Sequence, residues 1–131
     1  MRVQHHIRPE GTPPANGYSH AVSLTGPVVF VSGQVPLDAS GRLVGAGDPL
    51  EQARQVFRNM AAVLAGAGAA MADVVKLTVF LTDLADLAAF RQARDEVFSP
   101  SAPPASSLVQ VAGLVSPDFR IEVEAVAARP E

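Results

Sequence analysis

The chain has 131 residues, of which 48% are hydrophobic, and a net charge of −3 from 10 basic and 13 acidic side chains. This length is that of one ordinary domain with a core of its own, so we expect a single domain over residues 1–131 and no long disordered tract. The acidic balance and the aromatic content of 5% argue against a broad phosphate-binding surface and a stacking platform. We therefore expect no nucleic-acid partner.

Signals for a membrane, a secretory route or a metal are weak throughout the sequence. No apolar run approaches the roughly 20 residues that span a bilayer, so we expect no membrane partner. Residues 1–6 lack the apolar segment of a secretory signal, which predicts a cytoplasmic location. With no Cys, the chain has no disulfide framework and no thiol nucleophile. His5, His6 and His20 lack further ligands at metal-binding spacing, so we expect no metal site.

The first part of the chain predicts a β-hairpin. Residues 3–7 carry a weak strand signal within a segment rich in turn-forming residues. The apolar runs 21–24 and 28–32 are joined by the short link 25–27, which contains a glycine and is typical of a hairpin. Glycine and proline then break the pattern, and residues 43–44 are expected to form at most one brief strand.

A helix with a clear start follows. Asp48 is a good N-cap, Pro49 suits the first helical position, and Glu51 stands three residues after the cap, as in a capping box. Apolar residues recur at helical spacing along the segment, namely Val56, Met60, Val63 and Leu64. Gly66 and Gly68 mark the predicted end of the helix.

The second half of the chain predicts a strand, a second helix and two closing strands. Residues 73–82 alternate and are rich in β-branched side chains, which is typical of a strand. A helix is predicted over residues 87–97, and the prolines after it stop it. Residues 106–112 and 120–127 complete the order as two strands. Helices segregated onto one face of a mixed sheet predict an α+β two-layer fold.

The last strand divides its side chains between two faces. Its apolar residues alternate with Glu122 and Glu124, so one face of the strand carries carboxylates. Taken alone, this pattern favours a solvated surface, since Glu is rarely buried without a partner. A ligand site or a contact with a neighbouring chain on this face is the alternative.

A series of short patterns runs in order along nearly the whole chain. They occupy residues 17–22, 30–38, 52–53, 59–60, 73–81, 104–105, 109–112 and 121–127. Together they resemble the RidA/YjgF family of imine and enamine deaminases. The resemblance implies a chorismate-mutase-like α+β fold, with two helices on one face of a mixed sheet. It also implies a homotrimer with a small-molecule cleft at each subunit interface, which hydrolyses reactive 2-imino or 2-enamino acids to 2-keto acids and ammonia without a cofactor.

The resemblance also assigns residues to that cleft. It places the family's Tyr on Tyr18 and its Glu, which positions the attacking water, on Glu122, so both are expected to be catalytic. The family's Ser falls on Ser32, followed by Gly33, and both are expected to bind the substrate. Endoribonuclease activity is also reported across the family, but the acidic balance gives no physical support for it here.

Two positions depart from the family pattern. Where the deaminases carry the Arg that holds the substrate carboxylate, the chain has Ser106, and where they carry an Asn in the second helix, it has Arg91. A guanidinium offers a bidentate, charged contact, whereas a hydroxyl offers one neutral donor. We therefore expect activity on ordinary 2-imino acids to fall at least about a hundredfold, which corresponds to roughly 3 kcal/mol.

Two functions remain open from the sequence. One is a divergent hydrolase whose substrate is uncharged at that end, or has its carboxylate bound by Arg91 or, less favoured, by Arg94. The other is a non-catalytic trimer that binds a small ligand or a partner. Each of these residues also has a purely structural interpretation. Arg91 would be a solvated helix residue, Tyr18 a packing aromatic, Glu122 a member of an interface salt bridge and Ser32 a turn residue.

Overall fold

The structure, a computed structural model, describes residues 2–131 and has two α-helices, two short 3₁₀ helices and six strands in that range. The α-helices are α1 (Pro49–Gly66) and α2 (Leu87–Val97). The strands are β1 (Arg2–His6), β2 (Ala21–Thr25), β3 (Val28–Gln34), β4 (Val74–Leu81), β5 (Ala105–Gln110) and β6 (Ile121–Ala128). Across residues 2–131, neither helix combines the length and the apolar character needed to cross a membrane.

Four of the strands form a mixed sheet in the order β3-β6-β4-β5. Strands β4 and β5 are parallel, whereas β6 is antiparallel to both of its neighbours. The buried side chains of both helices form one core with those of β4 and β6, and its largest members are Phe57, Met60, Leu64, Leu77 and Leu81. Both helices therefore cover the same face of the sheet, which confirms the predicted α+β two-layer fold.

The predicted hairpin between the runs 21–24 and 28–32 is wrong. Strand β2 pairs with β1 in a separate two-stranded sheet, and β3 pairs with β6. Pro27 provides part of the reason, because its fixed φ excludes the two positive φ angles of a type I′ turn. Strand β6 is also the longer partner, with eight residues against five in β2, and pairing with it carries Val31 into the core.

Helix α1 begins and ends where the sequence predicts. The Asp48 carboxylate accepts from the Glu51 backbone N–H at 3.2 Å, which confirms the N-cap. The Glu51 carboxylate does not complete the capping box, because it accepts from Arg54 Nη1 at 2.8 Å instead. The brief strand predicted at Leu43 is reduced to an isolated bridge with Leu37.

The other face of the sheet, which we call the open face, is largely exposed to solvent. Side chains that point toward the helices along β4 and β6 are buried, namely Leu77, Val79, Leu81, Ile121, Val123 and Ala125. Their neighbours point the other way, and Glu122 lies there opposite Phe80. On the same face, Phe30 is 78% exposed and Val109 is 48% exposed. An exposed apolar patch of this kind is typical of an interaction surface.

A polar network connects the start of β6 to both helices. Arg120 donates from Nε to Asp86 Oδ2 at 2.8 Å and from Nη2 to Oδ1 at 3.0 Å. Its backbone N–H donates to Gln52 Oε1 at 2.8 Å, and Gln52 Nε2 donates to the Asp118 carbonyl oxygen at 2.9 Å. Because Gln52 and Asp86 are buried, these bonds fix where β6 begins and hence where Glu122 lies.

Candidate functional site

Glu122 lies against an irregularity in β3. Between Val31 and Gln34, β3 contains one residue more than the facing stretch of β6, which makes a β-bulge. A Cβ added to Gly33 in this bulge would lie 2.7 Å from the carboxyl carbon of Glu122 and 3.0 Å from its Cγ. The Glu122 side chain therefore rests against the Gly33 backbone, in space that only glycine leaves free.

Ser32 precedes Gly33 and lines a cavity of about 250 Å³ on the open face. Lys76 and Glu124 line the same cavity, and the Lys76 ammonium donates to the Ser107 hydroxyl at 2.7 Å. We call Ser32, Gly33 and Glu122 the Glu122 half-site. All three belong to the open face or its edge strand, and Gly33 and Glu122 lie beside the cavity rather than in its lining.

Tyr18, Arg91 and Ser106 line a second cavity, of about 290 Å³. Ser106 is in register with Leu77, whose side chain is buried beneath the helices. Ser106 therefore points to the helix side of the sheet, away from Glu122. The other residues that line this cavity are Asn16, Leu87, Phe90, Arg94 and Leu108. We call Tyr18, Arg91 and Ser106 the Tyr18 half-site.

The segment that carries Tyr18 is bound to the start of β5. Ser19 is buried and donates its backbone N–H to the Pro104 carbonyl oxygen at 3.0 Å. The Ser19 hydroxyl donates to the Pro103 carbonyl oxygen at 2.6 Å. These bonds place Tyr18 next to the first residues of β5, so that Tyr18 and Ser106 share one cavity.

The two arginines of α2 at this cavity differ in what they bind. Arg94 is 5% exposed and donates to Asn16 and to the carboxylate of Asp95, the latter at 2.9 Å. Arg91 is half-buried, and in the part of the chain that the structure describes its side chain has no hydrogen bond or ion pair. Because Asp95 balances the charge of Arg94, Arg91 supplies the uncompensated positive charge of the cavity.

The predicted site residues therefore form two groups rather than one. Tyr18 and its partners lie on the helix side of the sheet and Glu122 and its partners on the open face. Sequence reasoning also missed Asn16, although an Asn-Gly pair is a recognisable turn signal. Among residues 2–131, no group of three His, Cys, Asp or Glu side chains is placed to hold a metal ion.

Comparison with known proteins gives matches over nearly the whole chain. The sequence profile of a family described as Endoribonuclease L-PSP matches residues 10–129. The chain is 40% identical over 121 residues to the 3-aminoacrylate deaminase RutC of Acinetobacter baylyi, covering 92% of this chain and 94% of that protein. It is 40% identical over 126 residues to the 2-iminobutanoate/2-iminopropanoate deaminase of Salmonella typhimurium, covering 94% and 96%.

Solved structures agree with the sequence matches. The crystal structure of YyfB from Yersinia pestis, a protein of unknown function of the conserved Rid protein family, superimposes with a TM-score of 0.86 at 39% identity. That match covers 98% of this chain and 99% of the other. RidA from the Antarctic bacterium Psychrobacter sp. PAMC 21119 matches with a TM-score of 0.72 at 35% identity, over 95% and 99% of the two chains.

Proposed function

The chain belongs to the RidA/YjgF family, and on that premise we propose that it is a reactive-intermediate deaminase that hydrolyses small imines or enamines. Two of the relatives above are named deaminases, and each match covers at least 92% of both proteins. The observation that carries the proposal is the pair of half-sites. The Glu122 half-site has the carboxylate that would activate water, the Tyr18 half-site has the groups that would bind the substrate, and neither half-site has both. RNA cleavage is not part of the proposal, because a net charge of −3 gives no support for the positive surface that RNA binding requires.

The active site in this proposal is completed between two subunits of a homotrimer. A cyclic trimer is held by heterologous contacts, in which two different surfaces of the chain meet. Such a contact places the open face of one subunit, with Glu122, against the Tyr18 half-site of the next. The exposure of Phe30 (78%) and Val109 (48%) supports burial of the open face in the assembly.

The chemistry requires only water and the side chains of the two half-sites. The Glu122 carboxylate orients a water molecule toward the imine carbon and accepts its proton as the carbon–oxygen bond forms. That proton passes to the nitrogen and gives a carbinolamine. The carbinolamine hydroxyl then loses its proton to Glu122, which passes it to the nitrogen as the carbon–nitrogen bond breaks and the carbonyl double bond forms, so that ammonia and a carbonyl compound are released. The Tyr18 hydroxyl donates to the imine nitrogen, and Ser32 lines the cleft. This route involves no cofactor.

Arg91 binds the substrate carboxylate in place of the residue that the family carries at Ser106. Arg91 lines the same cavity as Tyr18 and Ser106, and no carboxylate among residues 2–131 pairs with it. A charged hydrogen bond contributes roughly 1.5–3 kcal/mol. This is comparable to the binding free energy expected to be lost because Ser106 replaces the family's Arg. The substrate class is accordingly a 2-imino or 2-enamino acid.

The direct test is imine hydrolysis. An amino-acid oxidase generates a 2-imino acid in solution, and the protein competes for it with semicarbazide. Wild type is expected to lower semicarbazone formation and release keto acid, and Glu122→Ala is expected to abolish both effects. Activity in Ser106→Arg alone would exclude ordinary 2-imino acids as native substrates. Inactivity of all variants, wild type included, would favour the alternative of a non-catalytic binding trimer.

Mixed trimers test whether the site is shared between subunits. Tyr18→Phe, expected to keep a small residual activity, and Glu122→Ala, expected to be inactive, are co-refolded in equal amounts. If the half-sites come from different subunits, about one quarter of the interfaces combine two intact half-sites, and about a quarter of wild-type activity returns. If both half-sites acted within one chain, mixing would restore nothing. Analytical ultracentrifugation checks the trimer itself, and a monomer would contradict the proposal.

Substitutions at Arg91 and Ser106, the two positions that differ from the family pattern, test the role of Arg91. Arg91→Asn is expected to raise KM for 2-imino acids at least about tenfold, because a charged hydrogen bond is lost. Adding Ser106→Arg to that variant is expected to lower KM again. Arg58→Asn is the matched control, because Arg58 is an exposed helix arginine that donates only to Gln55 in the described structure. An unchanged KM in Arg91→Asn would refute the role of Arg91.

A further inference from the structure

Arg94 is an unusual residue for the buried side of a helix. Its side chain is on the inner side of α2 with 5% exposure, and its Cζ lies 6.0 Å from the centre of the Phe90 ring. Burial of a guanidinium is costly unless its donors are bonded. What those donors bind therefore indicates what the residue does.

The donors of Arg94 bind the segment just before Tyr18. Nη1 donates to the Asn16 backbone oxygen at 2.8 Å, and Nη2 donates to Asn16 Oδ1 at 2.9 Å. Gly17 has a φ of +69° and lies against the guanidinium, since a Cβ added there would be 2.5 Å from Arg94 Cζ and 3.0 Å from Nε. Arg94 thus fixes the backbone of the two residues that precede Tyr18.

The segment after Tyr18 is fixed as well. Ser19 is 1% exposed and bonds to the carbonyl oxygens of Pro103 and Pro104. Tyr18 is therefore the residue between two attachment points, one on α2 and one at the start of β5. The second holds the peptide that follows Tyr18, and the Tyr18 ring packs edge-on against His20 at a centroid distance of 5.6 Å. The attachment to Arg94 holds the backbone that leads into Tyr18, so it also helps to set the direction of the Tyr18 side chain.

From this geometry we infer that Arg94 is a positioning residue for Tyr18. Its guanidinium holds Asn16 and Gly17 so that the Tyr18 hydroxyl points into the shared cleft. The catalytic part of the inference rests on the proposed deaminase function, but the effect on the orientation of Tyr18 does not. Arg94 itself is poorly placed for a substrate carboxylate, because it is 5% exposed and three of its N–H groups already donate to Asp95 and Asn16.

The first test reads Tyr18 directly and needs no activity. Tyr18 is the only tyrosine and the chain has no tryptophan, so ultraviolet emission reports on this one residue. Arg94→Met is expected to lower the fluorescence anisotropy of Tyr18 and to increase its quenching by acrylamide. Arg94→Lys, which keeps one donor to Asn16, is expected to lie between Arg94→Met and wild type. Unchanged anisotropy and quenching in Arg94→Met would overturn the inference.

The second test uses catalysis. Arg94→Met is expected to lower kcat about tenfold to a hundredfold with little change in KM, as for a displaced catalytic group. In the Tyr18→Phe background the same substitution is expected to have no further effect on kcat, because both act through one hydroxyl. Equal losses in the two backgrounds would mean a general structural role and overturn the inference.

Two further variants keep the tests decisive. Asn16→Ala removes one acceptor of Arg94 without opening the core, and is expected to change Tyr18 emission in the same direction to a smaller extent. It replaces Arg94→Met if that variant fails to fold. Arg54→Met is the control, since Arg54 binds Glu51 and Glu96 between the helices, and it is expected to leave Tyr18 emission unchanged. If wild type lacks deaminase activity, the emission results still decide the inference about Arg94.

Discussion

Gly33→Ala is expected to remove most of the deaminase activity while leaving the fold nearly intact. The new Cβ would lie 2.7 Å from the carboxyl carbon of Glu122, so the carboxylate must move by about 0.8 Å to regain a carbon contact of about 3.5 Å. A displacement of about 1 Å at a catalytic group can cost about a hundredfold in rate. The cost in stability is small, within about 1 kcal/mol, because Gly33 has no positive φ and the Glu122 carboxylate is the free end of a flexible chain.

The assay combines imine hydrolysis with thermal unfolding on the same preparations. Gly66→Ala is the matched control, since Gly66 also lacks a positive φ and a Cβ there would meet no atom within 4 Å. We expect Gly33→Ala to lose about a hundredfold in kcat/KM with a Tm close to that of wild type. Full activity in Gly33→Ala would show that the position of the Glu122 carboxylate is not critical and would refute the reasoning.

Two further predictions concern stability. Arg120→Met is expected to lower the free energy of unfolding in urea by about 2–3 kcal/mol, because it leaves the buried Asp86 carboxylate without its bidentate partner. The loss is smaller than for a fully buried ion pair, since the Arg120 side chain is 35% exposed. Asp86→Asn in the Arg120→Met background should recover part of that loss. Glu96, whose pKa is lowered by its hydrogen bond with Arg54, contributes stability that is present above its usual pKa of 4.5 and is lost as the pH falls through its lower folded-state pKa. The difference in Tm between wild type and Glu96→Gln should therefore shrink on acidification, and a constant difference would contradict this assignment.

Local signals predicted the elements of this fold because the physics of each element is local. The strand signal at 73–82 comes from alternation and β-branching, and its alternate residues are buried under the helices as expected. The start of α1 follows from Asp48 and Pro49, which act within one turn of helix. Both predictions depend on residues that lie within a few positions of each other, so no knowledge of the rest of the chain is needed.

Pairing between distant elements could not be predicted in the same way. Alternation shows that 28–32 is a strand but carries no information on which strand it joins, and nearness along the chain favoured β2 over β6. In the structure Arg94 is buried on the inner side of α2. Its partner Asn16, however, lies 78 positions away, and nothing at either position identifies the other.

The division of the site between two faces follows from the geometry of the sheet. Ser106 is in register with Leu77 on one side, while Glu122 is opposite Phe80 on the other. Because neighbouring strands in register present their side chains to the same side, no rearrangement of loops can bring Glu122 and Ser106 together within one chain. A deaminase built from both residues must therefore be an oligomer, whereas a ligand-binding role could be served by either cavity of a monomer. In the proposed deaminase the oligomeric state and the catalytic activity are thus linked, and a variant that dissociates the subunits should lose activity in proportion to the fraction dissociated.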